Sequence, residues 1–574
     1  MRRRFVGSRT VAATVAVGAL AAGLLSACSS EDQVPAIGYA MDGLITTYNA
    51  NTAQGAATAA SAAFPRVLTG MSYVGPEGKT IADTDYGTAN VVPGDVLTVQ
   101  YRLNPAGVYS DGTPTSCEDL VLAWAARSGR FTKTNDAGAT VPMFEASDSA
   151  GYSDIERVQC QPGSKDATVV FRAGRGFAEW RSLFGATDLM PSHVAAKAAN
   201  VSDVASVVQS NDQEAIGRIA DFWNNGWKLV PGEIDPSLLP SSGPYRIESY
   251  SAEDGLILVA NEKWWGNKPA TPRIVLWPKN TDLKEKLSSG AVEVVDIGAN
   301  SLGEVDLAGF TKENVASRNV EQLTLGTAGV LQTPDARRAL ALCAPRQAIF
   351  DKLGHPDYDN KQGLGSGPLN SRIVGADTLI YPAVSAEGGK FPGNDVPGAV
   401  AALGAAGIAT PTVKIGYLAP DERRAETVKM IAEACKPAGI TVEDAGSPDF
   451  SPTALRDGQV EAVLGGTAST SGPGGATDNI DARFALRGGS GANYGRYDNP
   501  RYNGLVDQLS VDGAPVTQLN LSSEAEALLW AEMPSLPLFN EPRTIAFADG
   551  MEAEIVNIGK SGAGWNMDRW VLKR

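Results

Sequence analysis

Residues 109–114 read YSDGTP, and this stretch, with the segments on either side of it, indicates the fold class. Its DGTP part is a turn signal, because Gly and Pro interrupt regular secondary structure. Before it, residues 96–102 are rich in β-branched and aromatic side chains and predict a strand. After it, residues 116–128 predict a helix with Ser116 as its N-cap. A strand, a turn and a helix in succession predict a mixed α/β protein.

The same mixture continues along the rest of the chain. Runs of β-branched and apolar residues predict further strands at residues 167–172, 255–260, 273–277 and 412–417. Apolar residues at helical spacing predict helices at residues 335–350 and 425–435. Residues 465–491 are rich in Gly, Ser and Thr, which predicts a long loop, and long ordered loops are often functional.

The first thirty residues have the pattern of an export signal. Four Arg precede an apolar run at residues 11–25, and no acidic residue occurs before Glu31. About 15 apolar residues are too few to cross a bilayer, which takes roughly 20, so residues 1–27 are predicted to be a signal peptide. The tetrapeptide LSAC ending at Cys28 resembles the lipobox of bacterial lipoproteins. We therefore expect a lipid on Cys28, a lipidated linker at residues 28–32, and a chain anchored to the extracytoplasmic face of the cell membrane.

Composition restricts the class of protein. Four of the 49 basic residues and no acidic residue lie in the signal, which leaves 45 basic against 65 acidic residues in the mature chain. An acidic body of this kind is not expected to bind nucleic acid. The mature chain is too long for one hydrophobic core, so two or three domains are expected.

Four cysteines remain in the mature chain: Cys117, Cys160, Cys343 and Cys435. An even count outside the cytoplasm predicts disulfides, with three possible pairings. No two of these cysteines lie close in sequence, so we expect no metal site and no cofactor.

Candidate catalytic groups are scarce. The chain has only two histidines, His193 and His355, and both occur in settings typical of turns or helix starts, where a structural role is expected. Residues 73–80 lack the first Gly of a phosphate-binding loop, and residues 488–491 lack the spacing of a nucleophile elbow. We therefore expect that the chain is not an enzyme. A secreted hydrolase with a glycosidase-type carboxylate pair is a remote alternative.

Several short motifs occur in a fixed order along the mature chain. They are YSDGTP with EDL (109–114, 118–120), SGPY with ESY (242–245, 248–250), NEKWWG (261–266), ARRAL (336–340), NYGRYDNP (493–500) and PSLPL (534–538). In this order and spacing the chain resembles the family 5 extracellular solute-binding proteins, the oligopeptide and dipeptide receptors of ABC importers.

The resemblance implies a periplasmic-binding-protein-like type II fold, with two lobes, a hinge and a small extra domain on the first lobe. The implied first lobe comprises residues 33–75, 189–325 and 530–574, the extra domain residues 76–188, and the second lobe residues 326–529. Cys117–Cys160 then lies within the extra domain and Cys343–Cys435 within the second lobe, so these pairings are favoured. The ligand would bind in the cleft, and closure around it would be the signal.

Two positions depart from the family pattern. In peptide receptors of this family an Asp of the second lobe binds the peptide amine, whereas the matching stretch here has Gly466 in place of an aromatic residue and Ser469 in place of that Asp. Gln54 stands where the first lobe of the family carries an acid. Because a buried cation without a carboxylate is costly, an amine would need Asp478 or Asp481 instead. Neutral hydroxyl and amide groups suit uncharged ligands such as sugars.

The segments AEWRSLF (178–184) and PSH (191–193) resemble a subgroup of this family, the actinobacterial lipoproteins linked to phosphatidylinositol mannosides. Two functions are therefore expected. The first is a monomeric, lipid-anchored solute-binding protein that captures peptides for ABC permease subunits. The alternative is a non-transport binding or regulatory lipoprotein in the assembly of envelope glycolipids. For either ligand, the predicted contacts are Gln54, Thr467, Ser469 and Asn493, with Tyr48 and Trp565 in addition.

Overall fold

The structure is a computed structural model, and it describes residues 34–355, 364–467 and 480–574. The predicted signal peptide, its lipidation site Cys28, and the predicted contact Ser469 lie outside the described residues. Among the helices in the described ranges, none combines the length and the apolar character needed to cross a membrane.

The strands of the described chain are β1 (Ala36–Met41), β2 (Ser72–Val74), β3 (Thr80–Ala82), β4 (Gly87–Val92), β5 (Thr98–Leu103), β6 (Thr132–Thr134), β7 (Thr140–Pro142), β8 (Ile155–Cys160), β9 (Asp166–Phe171), β10 (Tyr245–Ser251), β11 (Gly255–Ala260), β12 (Arg273–Trp277), β13 (Val294–Gly298), β14 (Phe310–Leu325), β15 (Thr412–Leu418), β16 (Thr441–Ser447), β17 (Ala462–Thr467), β18 (Ser535–Ala548), β19 (Met551–Glu552) and β20 (Val571–Leu572).

The α-helices of the described chain are α1 (Ala60–Ala63), α2 (Cys117–Arg127), α3 (Ser192–Ala198), α4 (Val204–Ser210), α5 (Gln213–Asn225), α6 (Leu283–Ser288), α7 (Pro334–Cys343), α8 (Arg346–Ile349), α9 (Tyr381–Val384), α10 (Val396–Ala406), α11 (Glu422–Cys435), α12 (Thr453–Arg456), α13 (Ile480–Ala485), α14 (Pro500–Leu509) and α15 (Pro515–Glu532).

Two long antiparallel strands, β14 and β18, join the two halves of a ten-stranded sheet. One half, in the order β10-β11-β12-β1-β13, continues into β18, and we call the part of the molecule built on it the first lobe. The other half, in the order β17-β15-β16, pairs with β14 through β17 and forms the second lobe. The β14–β18 register is irregular between Ala316 and Val320, where the sheet passes from one lobe to the other. The predicted α/β class with two lobes is confirmed.

A separate antiparallel sheet, in the order β4-β5-β9-β8, carries α2 against it. Helix α2 begins where the sequence predicts, because the Ser116 hydroxyl accepts a hydrogen bond from the Glu118 N–H while the Asp119 carboxylate accepts one from the Ser116 N–H. These two bonds satisfy N–H groups that a helix start leaves without partners. We propose that this sheet and α2 are the core of the extra domain at residues 76–188, and we keep the other domain limits given above as proposals.

Both favoured disulfides are present. Cys117 at the start of α2 pairs with Cys160 at the end of β8, with the Cα atoms 5.7 Å apart. Cys343 at the end of α7 pairs with Cys435 at the end of α11, with the Cα atoms 5.0 Å apart. Each bond therefore ties a helix end to an element of the same region.

Two predicted elements differ from the structure. The helix predicted at residues 335–350 is interrupted after Cys343, and α8 begins only at Arg346. Pro345 explains the break, because proline lacks an N–H donor and restricts the backbone of the residue before it. The loop predicted at residues 465–491 is wrong at its start, where β17 extends to Thr467 by pairing with β14, and in its interior, where α13 occupies Ile480–Ala485. Residues 486–491 form neither a helix nor a strand, as predicted. Pairing with a neighbouring strand outweighs the flexible composition of that stretch.

Candidate functional site

A cavity of about 360 Å³ lies between the two lobes. The first lobe contributes the end of β1 and the segment that leads through α1. The second lobe contributes the end of β15, the loop around Phe450, and β17. Small-molecule sites in proteins are concave spaces of roughly 300–1,000 Å³, so the cavity has the size of a ligand site.

Part of the cavity wall is apolar and shaped by small side chains. On the first-lobe side the wall contains the alanines Ala50, Ala56, Ala57, Ala59 and Ala62. On the second-lobe side it contains Phe450, Pro452, Val463 and Leu464. Alanine leaves space that a longer side chain would fill, so a ligand can approach the first-lobe backbone closely.

Strand β17 presents a partly open edge to the cavity. It pairs with β14 as far as Thr467, but with β15 only through Ala462 and Val463. Leu464, Gly465 and Gly466 continue along the cavity wall. Strand edges without a partner strand offer N–H and C=O groups to an incoming extended chain. A Cβ atom added at Gly465 would meet no described atom within 4 Å, which shows that this residue faces open space.

Charged side chains also line the cavity, and each of those described has an oppositely charged partner. Those in the wall are Asp42, Arg127, Asp148, Asp188, Asp296, Arg424, Asp481, Glu541, Arg543 and Lys560. The described wall is therefore polar at several points without carrying an isolated charge.

One ion cluster lies at the end of the cavity next to α2. The Arg127 guanidinium bonds to Asp148 at 2.6 Å and to Asp188 at 3.0 Å. Burial acts to raise the pKa of both carboxyl groups. For Asp148 the charge of Arg127 outweighs burial and lowers the pKa, whereas the pKa of Asp188 remains raised. The Lys560 ammonium lies 3.3 Å from the Asp481 carboxylate of α13. This last pair joins the C-terminal segment to α13.

A second ion cluster lies at the hinge end of the cavity. Lys279 Nζ is 2.6 Å from Asp42 in the first lobe and 3.2 Å from Asp421, the N-cap of α11 in the second lobe. Arg424 bonds to both carboxylate oxygens of Glu321, at 2.8 and 3.0 Å. Although burial acts to raise the pKa of Asp42, the charges of Lys279 and Arg424 hold it at about 2.

Three neutral hydrogen bonds close the cleft on the side of α13. The Tyr494 hydroxyl donates to the Ala53 carbonyl oxygen at 2.7 Å. The Ser490 hydroxyl and the Ala492 N–H both donate to the Ser147 carbonyl oxygen, at 2.7 and 2.8 Å. These bonds hold Tyr494 and its neighbours against the other side of the cleft.

Two of the predicted contact residues have partners within the fold. Tyr48 is fully buried, and its hydroxyl donates to the Pro240 carbonyl oxygen at 3.1 Å. The Asn493 side chain donates to the Tyr497 carbonyl oxygen at 2.6 Å and accepts from the Tyr497 N–H at 3.0 Å. Neither residue is among the described residues of the cavity wall.

Two of the other predicted contacts, Gln54 and Thr467, are sequence neighbours of cavity residues, whereas Trp565 packs against Tyr73. Gln54 is exposed between the cavity residues Asn51 and Ala56, and Thr467 follows the cavity-lining Gly466 in β17. Trp565 stacks on Tyr73 and donates to the Ile555 carbonyl oxygen at 3.0 Å.

Three cavity residues were not predicted from the sequence: Arg127, Arg424 and Lys560. They belong to separate segments of ordinary composition, and no local pattern marks them as parts of one site.

Comparison with known protein families gives one match. The model for "Bacterial extracellular solute-binding proteins, family 5 Middle" matches residues 88–482. An uncharacterized lipoprotein of Mycobacterium tuberculosis is 41% identical over the whole of this chain and 98% of that protein. The oligopeptide-binding protein OppA of the same species is 24% identical over 85% of this chain and 76% of its own length.

A more distant relative is a probable monoacyl phosphatidylinositol tetramannoside-binding protein, LpqW of M. tuberculosis. It is 24% identical over 52% of this chain and 39% of its own length. Among solved structures, the periplasmic EDTA-binding protein EppA has a TM-score of 0.73 at 20% identity, covering 94% of this chain and 97% of that one. An oligopeptide-binding protein from Thermus thermophilus has a TM-score of 0.71 at 13% identity, covering 94% and 96%. These structures show the same fold.

Proposed function

Because the chain belongs to the family 5 bacterial extracellular solute-binding proteins, we propose that it captures a solute, of peptide or related type, by closing its two lobes around it for an ABC importer. In this proposal the protein is a monomer on the extracytoplasmic face of the cell membrane, held there by the lipid on Cys28. The lipoprotein relatives support the anchor, and the OppA relative supports the importer role. The remaining partners would be the permease subunits.

The observation that carries this proposal is the cavity enclosed by both lobes. A ligand can close the lobes only by contacting the closed state better than the open state. Here the first-lobe alanines and the second-lobe strand β17 form opposite walls of one space. A solute in that space would contact both walls at once, and it would lose one set of contacts on opening.

The open edge of β17 supports a peptide in particular. Backbone groups at Leu464–Thr467 can hydrogen-bond to the backbone of an extended ligand whatever its side chains are. The alanine wall opposite leaves room for side chains of different sizes. We keep Gln54, Thr467 and Ser469 as proposed ligand contacts because each is close in sequence to residues of the cavity wall, and Asn493, Tyr48 and Trp565 as weaker ones.

A second candidate function is binding of an envelope glycolipid without transport. Its support is the charge balance of the described wall, where every charged group has an opposite charge nearby, so that neutral hydroxyl groups are the matching chemistry. The likeness to the tetramannoside-binding protein points in the same direction.

The test is native mass spectrometry of the full chain, purified in mild detergent from its own host, followed by denaturation to release the ligand. A series of peptide masses would support the importer role. A mannose-containing lipid would support the second candidate and argue against peptide import. A chain that carries no solute and binds none from a peptide library would contradict the first proposal.

A variant makes this test site-specific. Gly465→Val adds a side chain at the cavity wall, where a Cβ atom built on Gly465 has no described atom within 4 Å. Valine is compatible with a strand. We expect it to lose most of the bound solute while its Tm stays near that of the wild type. The matched control is Gly404→Val, at an exposed position of α10 outside the described cavity wall, which should keep the solute.

A further inference from the structure

The ammonium group of Lys560 lies among carboxylates between two cavities. It lines the main cavity and also a smaller one of about 70 Å³ behind it. Its Nζ atom is 3.3 Å from Oδ2 of Asp481. Burial acts to lower the pKa of Lys560, but the charges of Asp481, Asp188 and Asp148 outweigh burial and raise it. Three carboxylates therefore act on one ammonium group.

These carboxylates come from different parts of the fold. Asp481 is in the first turn of α13. Asp148 and Asp188 lie on loops after β7 and β9, where Arg127 of α2 bonds to both. Without Lys560, Arg127 would be the one cation paired with these three acids in the described part of the chain. A group of carboxylates with one missing positive charge, open to a ligand cavity, is a site that a primary amine would fill.

We propose that Lys560 is a specificity-determining residue, whose ammonium group occupies the position in the cleft where the primary amine of a ligand would otherwise bind. The preferred solute then presents neutral hydrogen-bonding groups, and no free amine, to this wall. The inference rests on the proposed function, because it places the solute in the cleft between the lobes.

The segment that carries Lys560 is also held to the first lobe. Its segment returns to the first lobe, where the N–H of Ala563 donates to Asp296 of β13 at 2.8 Å. The Lys560–Asp481 pair therefore links this segment to α13, and the chain itself neutralises Asp481. A ligand amine at the same place would add a like charge next to Lys560 and weaken its own binding.

The first test asks whether a small amine binds in the place of the Lys560 ammonium group when that group is removed. It needs no assumption about the solute. The full chain in mild detergent is compared with Lys560→Ala, which removes the ammonium group and its stem, in the presence of n-butylammonium chloride. We expect 50 mM of this amine to raise the Tm of the variant by about 1–2 °C more than that of the wild type, because it binds only the vacated site. Tetramethylammonium chloride, which has no N–H donor, is the salt control.

The double variant Lys560→Ala with Asp481→Asn should show no such difference, because the carboxylate that holds the amine is gone. Equal Tm shifts by n-butylammonium in the wild type and in Lys560→Ala would overturn the proposal.

Peptide affinity tests the preference itself. We compare one pentapeptide with a free N-terminus and its N-acetylated form on the wild type, on Lys560→Met and on the conservative variant Lys560→Arg. We expect the ratio of the two affinities to shift about tenfold towards the free amine in Lys560→Met and to stay unchanged in Lys560→Arg. An unchanged ratio in Lys560→Met would overturn the proposal.

If neither peptide binds to any of the three proteins, the peptide function fails, and the amine rescue alone decides the role of Lys560.

Discussion

The hydroxyl group of Tyr494 in the second lobe donates a hydrogen bond to the carbonyl oxygen of Ala53 in the first lobe, at 2.7 Å across the cleft. Burial raises the pKa of Tyr494 to about 12, so this hydroxyl keeps its proton at neutral pH and remains a donor. With the two bonds to the Ser147 carbonyl oxygen, it stabilises the conformation in which the two sides of the cleft are in contact. If a solute binds between the lobes as proposed, it shifts an existing equilibrium rather than creating a new state.

Tyr494→Phe should raise the fraction of open molecules. Loss of a typical hydrogen bond costs about 0.5–1.5 kcal/mol, which corresponds to a roughly two- to tenfold change in the open–closed ratio. Single-molecule fluorescence between one dye on each lobe measures this ratio. The control is Tyr502→Phe, because the Tyr502 hydroxyl of α14 donates to the Arg483 carbonyl oxygen of the neighbouring helix α13. Equal ratios in wild type and Tyr494→Phe would show that this bond does not favour closure.

Lys279→Met should destabilise the protein strongly. The Lys279 side chain is almost fully buried between Asp42 and Asp421, and its removal leaves two acids without their shared cation. Breaking a buried ion pair costs about 3–5 kcal/mol, which urea denaturation can measure. Arg102→Ala is the matched control, because the Arg102–Asp166 pair is more than half exposed and should contribute less than about 1 kcal/mol. A similar loss in both variants would contradict the importance of burial.

Stability should fall between about pH 4 and pH 2 in part because of Asp42. Its pKa is lowered from 3.8 to about 2 in the folded chain, since the charges of Lys279 and Arg424 outweigh burial. A carboxyl group with a lowered folded pKa stabilises the fold above its unfolded pKa, and the contribution is lost as pH falls through the folded value. Asp42→Asn should lower stability at pH 7 and flatten the decline between pH 4 and pH 2. The free energy of unfolding against pH checks this, with Asp166→Asn as the surface control.

Removal of either disulfide should destabilise the chain, and the longer loop should matter slightly more. Cys343 and Cys435 are 92 residues apart, whereas Cys117 and Cys160 are 43 residues apart. In the chain-entropy model, loops of this size contribute roughly 4–5 kcal/mol each. Urea denaturation of the two double Cys→Ala variants gives the two values. Reactive thiols in the oxidised wild-type protein would contradict both pairings.

Cys28→Ser should release the mature protein from the membrane fraction. A lipid chain contributes about 0.8 kcal/mol for each CH₂ group buried in the bilayer, and the variant has no thiol to carry it. Cell fractionation and mass spectrometry of the N-terminal peptide measure the release and the loss of the acyl mass. Ser29→Ala, which keeps the cysteine, should remain in the membrane. A Cys28→Ser protein that stays there equally would show that another feature anchors the chain.

The sequence predicts secondary structure well where the deciding residues are close to one another in the chain. The strands at β11 and β12 and the N-cap of α2 depend on β-branched runs and on one serine, which act over a few residues. The family resemblance added the two lobes, because ordered motifs identify a whole chain even where each motif alone says little. The sequence failed at residues 465–467, where pairing with β14 formed a strand from a Gly-rich stretch.

The tertiary structure alone decided which charged and hydrogen-bonding groups meet in the cleft. Asp481 and Lys560 are 79 residues apart, and Tyr494 and Ala53 are 441 apart, so no spacing rule in the sequence connects them. The sequence determines which charged and hydroxyl side chains are available to form these pairs. Their partners depend on how the two lobes close over one another, because electrostatic and hydrogen-bond energies fall off within a few ångströms and only the folded backbone brings distant residues within that range.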